Sequence, residues 1–169
     1  NPELGSYGSM MGSSMMGNMD RHFIEQMIPH HNDAILMAEI ALKKAEHEEI
    51  KRLAQNISRT QSEENVMMRG WYKSWYGKDL PVDSSSMSRG MGGMMDDGTD
   101  IKTLENAKPF DKEFIEQMIP HHQMAIMMAR MLLEGTDREE MKTLALAIID
   151  AQSREIDQMR SWYRSWYGE

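Results

Sequence analysis

The nonapeptide FIEQMIPHH occupies residues 23–31 and returns unchanged at residues 114–122. A second block of the form WYxSWYG closes each copy, at 71–77 and again at 162–168. Between these landmarks residues 20–77 align without a gap to residues 111–168, and more than half of the positions are identical. So long an ungapped match makes the chain an internal duplication. The first copy is preceded by a Met/Gly/Ser-rich tail, residues 1–19. A similar linker, residues 78–110, separates it from the second copy, residues 111–169.

Each copy reads as two helices. In the second half of copy one, Ile50, Leu53, Ile57, Gln61, Glu64, Met68, Trp71 and Trp75 recur at intervals of three and four. Copy two repeats the seam as Met141, Leu144, Ile148, Gln152, Glu155, Met159, Trp162 and Trp166. This is one face of a long amphipathic helix. The first half of each copy reads as a shorter helix, which Pro29 and Pro120 are expected to kink or interrupt. Gly135-Thr136-Asp137 signals the turn in copy two, whereas copy one has no comparable signal. Neither hairpin alone buries much surface. The sequence therefore predicts an all-α fold, a four-helix bundle in which each hairpin covers the seam of the other.

Composition narrows the function. The 169 residues carry a net charge of −8, no cysteine and 20 methionines. The acidic balance argues against nucleic acid and against anionic membranes. No apolar run is long enough to span a bilayer. Without cysteine, thiolate chemistry is excluded. Nine methionines stand among Gly, Ser and Asn with no helical period to organise them: Met10, Met11, Met15, Met16 and Met19 in the tail, and Met87, Met91, Met94 and Met95 in the linker. Packing gives these no role, and thioethers are soft ligands that select Cu(I). Met68 and Met159 continue the apolar seams and read as core, while Met27 and Met118 fit either role.

On a helical wheel His22, Gln26, His30, Asp33 and Met37 share a stripe. Glu113, Gln117, His121, Met124 and Met128 occupy the same phases in copy two. His31 and His122 lie on a neighbouring stripe with Met27 and Met118. Imidazole and thioether spaced by three, four and seven residues suit a mixed Cu(I) or Cu(II) site. Met127 and Met131 add to the thioether cluster behind His121 and His122. His47, replaced by Arg138 in copy two, reads as a surface residue. Gln61, Glu64, Gln152 and Glu155 interrupt the seams; they either hydrogen-bond the histidine rings or form a network between helices. The tryptophans are expected to pack the bundle ends, and the neighbouring tyrosines to need polar outlets. A di-iron site is disfavoured because no Glu-x-x-His occurs.

The Pro-His-His motif followed by Met and Ala, the downstream Gln-Ser-x-Glu and the terminal Trp-Tyr pairs resemble a bacterial family catalogued as a domain of unknown function. The resemblance covers both copies. It implies a ferritin-like fold, export to the periplasm or beyond, and copper resistance through Cu(I) and Cu(II) binding. It maps the His/Met motif onto His30, His31 and Met37, and onto His121, His122 and Met128. His22 has Glu113 as its counterpart, so equivalent sites in both copies do not follow.

The expectation is a copper-sequestering or copper-relaying protein and not an enzyme, with Ag(I) as a surrogate ion and a copper exporter or another copper chaperone as recipient. Thioethers in place of thiols suit an oxidising, extracytoplasmic space. The chain begins at Asn1 without a hydrophobic leader, which fits a removed signal peptide and fits a trimmed chain equally. Two rival classes are a metal-free interaction module with Met-rich docking loops, and an enzyme that turns over copper or peroxide at the histidine faces.

Overall fold

The fold is taken from a computed structural model, which describes residues 7–81 and 98–168, with side chains from residue 18 onward. Five helices follow in order: α1 (Tyr7–Lys44), α2 (Glu48–Tyr76), α3 (Ile101–Asn106), α4 (Phe110–Gly135) and α5 (Glu139–Tyr167). Helix α1 packs on α2 and α4 on α5, and the hairpins meet chiefly through α1 and α4. No strand occurs among the described residues. The arrangement is the four-helix, ferritin-like bundle expected from the duplication.

Pro29 and Pro120 both lie inside continuous helices. Each proline forfeits one ladder hydrogen bond, and the packed residues on both sides hold the turn in place. The tail does not lie outside the bundle helices, because α1 runs back through the tail to Tyr7. The linker is not featureless either. Asp100 caps α3 by accepting the Thr103 backbone N–H at 3.0 Å, and Leu104 is fully buried. The linker methionines Met87, Met91, Met94 and Met95, and the side chains of Met10, Met11, Met15 and Met16, lie outside the described residues.

Helix ends follow local chemistry. Gly77 and Gly168 adopt left-handed φ of 69° and 82°, and their N–H groups bond Lys73 O and Arg164 O, closing α2 and α5. The turn before α2, which lacks a sequence signal, is capped from the other hairpin. Buried Asp111 accepts the backbone N–H of Glu46 at 3.0 Å and of His47 at 2.8 Å. The His47 ring adds a bond at 2.6 Å and stacks on Trp166 at 3.6 Å, so His47 is a structural clasp and not a simple surface residue. Its counterpart Arg138 pairs with buried Asp20 at 3.0 Å and covers Trp75 at 4.0 Å.

The core divides into two apolar clusters. One gathers Met37, Ile50, Leu53 and Ile57 with Phe114, Met118 and Met159. The other gathers Phe23, Ile24, Met27 and Met68 with Met128, Leu132, Leu144 and Ile148. Each fully buried side chain of this size contributes about 1.5–3 kcal/mol. The tryptophans pack against these clusters only half-buried. Tyr72 takes the fully buried seat, its hydroxyl donating to Glu25 at 2.5 Å; Tyr163 donates to Glu116 at 2.6 Å.

Candidate metal centre

Chain position locates what separates the two clusters. Along α1 the second cluster ends at Ile28 and the first begins at Ala34. Along α2 the first ends at Ile57 and the second resumes at Met68. The matching gaps in α4 and α5 run from Met118 to Ala125 and from Ile148 to Met159. These four gaps hold His30, His31, Gln61, Glu64, His121, His122, Gln152 and Glu155. A polar layer therefore crosses the middle of an otherwise apolar bundle, and both Pro-His-His motifs contribute to it.

The histidines meet across the hairpin interface. The rings of His30 and His121 stack with centroids 3.6 Å apart and planes inclined by 21°. His31 and His122 are fully buried. His31 Nε2 lies 2.5 Å from Glu64 Oε2, and His122 Nε2 lies 3.3 Å from Glu155 Oε1. Of the two readings left open for the seam carboxylates, hydrogen bonding to the histidine rings is the one observed.

This pairing fixes the rings chemically. Where the carboxylate accepts and the ring is neutral, Nε2 carries the proton and Nδ1 the lone pair. In both rings Nδ1 is buried without a hydrogen-bond partner. Burial holds the His31 ring below its usual range, opposing Glu64, which favours the charged form, while His30 and His122 add a smaller lowering. At His31 burial favours a neutral imidazole with Nε2 on a carboxylate and Nδ1 without a hydrogen-bond partner, the usual form of a metal-ligating histidine. A buried polar atom without a partner costs about 1–3 kcal/mol, a cost that a bound ion would offset.

The thioethers are placed unevenly. Met27 and Met118 lie one turn before His31 and His122 and are fully buried. Met37 and Met128, two turns beyond His30 and His121, are enclosed in opposite clusters and do not meet. Met124 is half-buried, Met127 is exposed, and Met19 is 40% exposed at the far end of the bundle. His22 is exposed and stands two turns from His30. Its counterpart Glu113 accepts from Gln117, which also grips the backbone of Asp100. The expected stripe thus splits into a central histidine group and a structural tie. Sequence reasoning missed the Asp20 and Asp111 clasps, although an aspartate opens both copies. Among the described residues no three His, Asp or Glu side chains converge in a cation site. Imidazole and thioether donors are the kinds that suit soft ions.

Comparison with known proteins agrees with this architecture. CopM in its Cu(I)-bound form is 49% identical, with 88% of this chain and 98% of CopM covered and a TM-score of 0.78. Its Cu(II)-bound form is 51% identical, with 88% and 97% covered and a TM-score of 0.81. CopM is also known with Ag bound. A DUF305 protein of Streptomyces coelicolor, inferred to be secreted, is 28% identical, with 87% and 93% covered and a TM-score of 0.74. The uncharacterised protein L153 of Acanthamoeba polyphaga mimivirus is 43% identical over 51 residues, 30% of this chain. The match spans about a third (34%) of the length of that curated relative. The family model for DUF305, a domain of unknown function, matches residues 20–167. With that match covering most of the chain and nearly all of both copies, the chain belongs to the DUF305 family.

Proposed function

We propose that this protein binds copper outside the cytoplasm and sequesters or relays it, contributing to copper resistance, without catalysing a reaction. The observation that carries the reading is the pair of buried rings, His31 and His122. Each has Nε2 on a carboxylate and Nδ1 without a partner, in a layer whose remaining donors are imidazoles and thioethers. His30, His31, His121 and His122 are the proposed imidazole ligands, with Met27, Met118 and Met124 as the nearest thioethers by helical spacing. Met37 and Met128, two turns beyond His30 and His121 on the same helices, are the next thioethers. The tail and linker methionines, Met10, Met11, Met15, Met16, Met19, Met87, Met91, Met94 and Met95, capture Cu(I) and deliver it inward, and His22 assists Cu(II). Binding of Cu(I), Cu(II) and Ag by CopM, half-identical over nearly its full length, supports the same choice of ions here. The absence of cysteine and the inferred secretion of the Streptomyces coelicolor relative support the extracytoplasmic setting. The recipient is a copper exporter or a further copper chaperone. No helix among the described residues is long and apolar enough to cross a membrane.

Titration of the full chain with Cu(I) against a competing chelator tests the reading. Retention of more than one ion is expected, with fewer retained after the nine tail and linker methionines are replaced by leucine. Failure to retain any ion, together with a metal-independent complex with a protein partner, would establish the interaction-module alternative.

A further inference from the structure

Each long helix carries a file of side chains, spaced by four, that begins at the histidine layer. In α2 it is Glu64, Met68, Tyr72 and Tyr76, and in α5 it is Glu155, Met159, Tyr163 and Tyr167. Steps of four residues climb about 6 Å each along a helix, so each file joins the layer to a bundle end in short stages. Its first member holds the ring of His31 or His122. Met68 and Met159 are fully buried, and each shares a cluster with the aromatic residues beyond it. The tyrosines follow ring to ring, with centroids 5.0 Å apart for Tyr72–Tyr76 and 5.4 Å for Tyr163–Tyr167. Beside them Trp71–Trp75 and Trp162–Trp166 stack at 5.7 and 5.8 Å, half-buried and so partly open to solvent.

Packing alone would be served by phenylalanine. Instead the inner tyrosine of each copy donates its hydroxyl to a carboxylate, Tyr72 to Glu25 at 2.5 Å and Tyr163 to Glu116 at 2.6 Å. Arg21 pairs with Glu25 at 3.0 Å and favours its ionised, accepting form. The outer tyrosines are held differently. Tyr76 faces Arg138, which only donates, and the buried Tyr167 hydroxyl has no hydrogen-bond partner. The distinction bears on one reaction. A phenol that gives up an electron becomes strongly acidic, and it does so most easily where a base takes the proton in the same event.

We propose that these files are electron relays between copper in the histidine layer and soluble one-electron acceptors that meet the tryptophans at the bundle ends. The acceptor takes one electron from Trp75 or Trp166, leaving an indole radical cation. Tyr72 or Tyr163 returns an electron to that ring as its phenolic proton passes to Glu25 or Glu116. Cu(I) then gives an electron to the tyrosyl radical, the proton returns from the carboxylic acid, and the copper is left as Cu(II). The sum is one electron from Cu(I) to the acceptor, with no net proton change. The transfer is stoichiometric, one electron for each ion held. Copper thereby changes oxidation state without leaving a layer in which His31 and His122 are fully enclosed. The two routes differ. Arg138 lies over Trp75 at 4.0 Å, and its fixed positive charge disfavours a second one on that ring, whereas Trp166 stacks on His47. The copy-two file is the faster. This inference rests on the proposed copper function and deepens it.

Flash photolysis of the full chain, with tris(bipyridine)ruthenium(III) generated in solution as the acceptor, provides the test. In the metal-free chain a tryptophan radical should give way to a tyrosyl radical in transient absorption. E25Q/E116Q should slow that conversion about 100-fold, the factor a positioned base contributes. Glutamine still accepts a structural hydrogen bond, so an unchanged conversion overturns the inference. In the Cu(I)-loaded chain the tyrosyl signal should decay as the paramagnetic resonance of Cu(II) grows. Y72F/Y163F keeps both rings and should slow that growth, with Y163F alone slower than Y72F alone. Growth at the parent rate in the double variant overturns the inference and leaves copper binding intact. A chain that retains no Cu(I) overturns the copper reading and the relay with it.

Discussion

The two copies share their paired histidines, tryptophans and seam yet solve the same structural problems differently. Where copy one turns from α1 to α2, Asp111 caps the turn and holds His47 against Trp166. Where copy two turns, Thr136 caps locally, accepting the Arg138 N–H at 3.2 Å, and Asp20 holds Arg138 against Trp75. His31 sits 2.5 Å from its carboxylate, whereas the His122 contact stretches to 3.3 Å. Tyr72 is fully enclosed and Tyr163 is half-exposed. The backbone plan is thus set by features common to both copies, and the differences lie at the turns and the tyrosines and, within the central layer, in the length of the histidine–carboxylate contact.

Core truncation should break the comparison most strongly. Phe114 is fully buried and Phe23 is 5% exposed. Phe114→Ala is expected to cost about 4 kcal/mol and Phe23→Ala about 3 kcal/mol in urea unfolding. Equal losses would show that the difference in burial between the two phenylalanines carries no energetic weight. The clasps come next. Asp111→Ala strips the acceptor from two backbone N–H groups and the His47 ring, and should cost about 2–3 kcal/mol. Asp20→Ala loses its bond to the half-exposed Arg138 and should cost about 1 kcal/mol. Reversal of that order would contradict the capping role given to Asp111.

The pH dependence of folding sharpens the central layer. Burial lowers the affinity of folded His31 for a proton, so the unfolded chain binds more protons near and below its ordinary value of 6.5. Stability from this group is therefore complete above about 6.5 and declines as pH falls toward the lower folded value. A thermal melt series from pH 7.5 to 5.5 should show a falling Tm, with a shallower fall in His31→Gln. An identical slope in the variant would remove His31 from the account. The smallest effect is expected on the outer stripes. M127L/M131I exchanges exposed side chains and should change stability by less than about 0.5 kcal/mol. L36M/I40M alters a stripe packed with α3 and should cost up to about 1.5 kcal/mol.

Much of this was legible before any coordinates. The repeat and the period of Ile50, Leu53, Ile57 and Met68 were enough for the bundle, because amphipathic seams of equal length can be satisfied only against each other. The His30–His31 and His121–His122 pairs were also visible as candidates. Their meeting was not, because helical spacing relates residues on one helix and says nothing of which helices face each other. The same limit hid the bonds of Glu64 and Glu155 to the rings. A wheel also ignores height along the axis: two turns separate His30 from Met37, which lies in the apolar cluster. Helix α1 reached Tyr7 against the propensities of Gly and Ser, as an extension of a helix already nucleated by packing. The role of His47 was unreadable for another reason: its partner Asp111 lies 64 residues away.

The claim that the histidine layer holds copper through imidazole and thioether together is tested most directly by X-ray absorption at the copper edge on the Cu(I)-loaded full chain. The account predicts nitrogen and sulfur in the first coordination shell, with the nitrogen contribution reduced in a His31→Ala/His122→Ala variant. A shell of nitrogen and oxygen alone, or no copper retained through gel filtration, would contradict it.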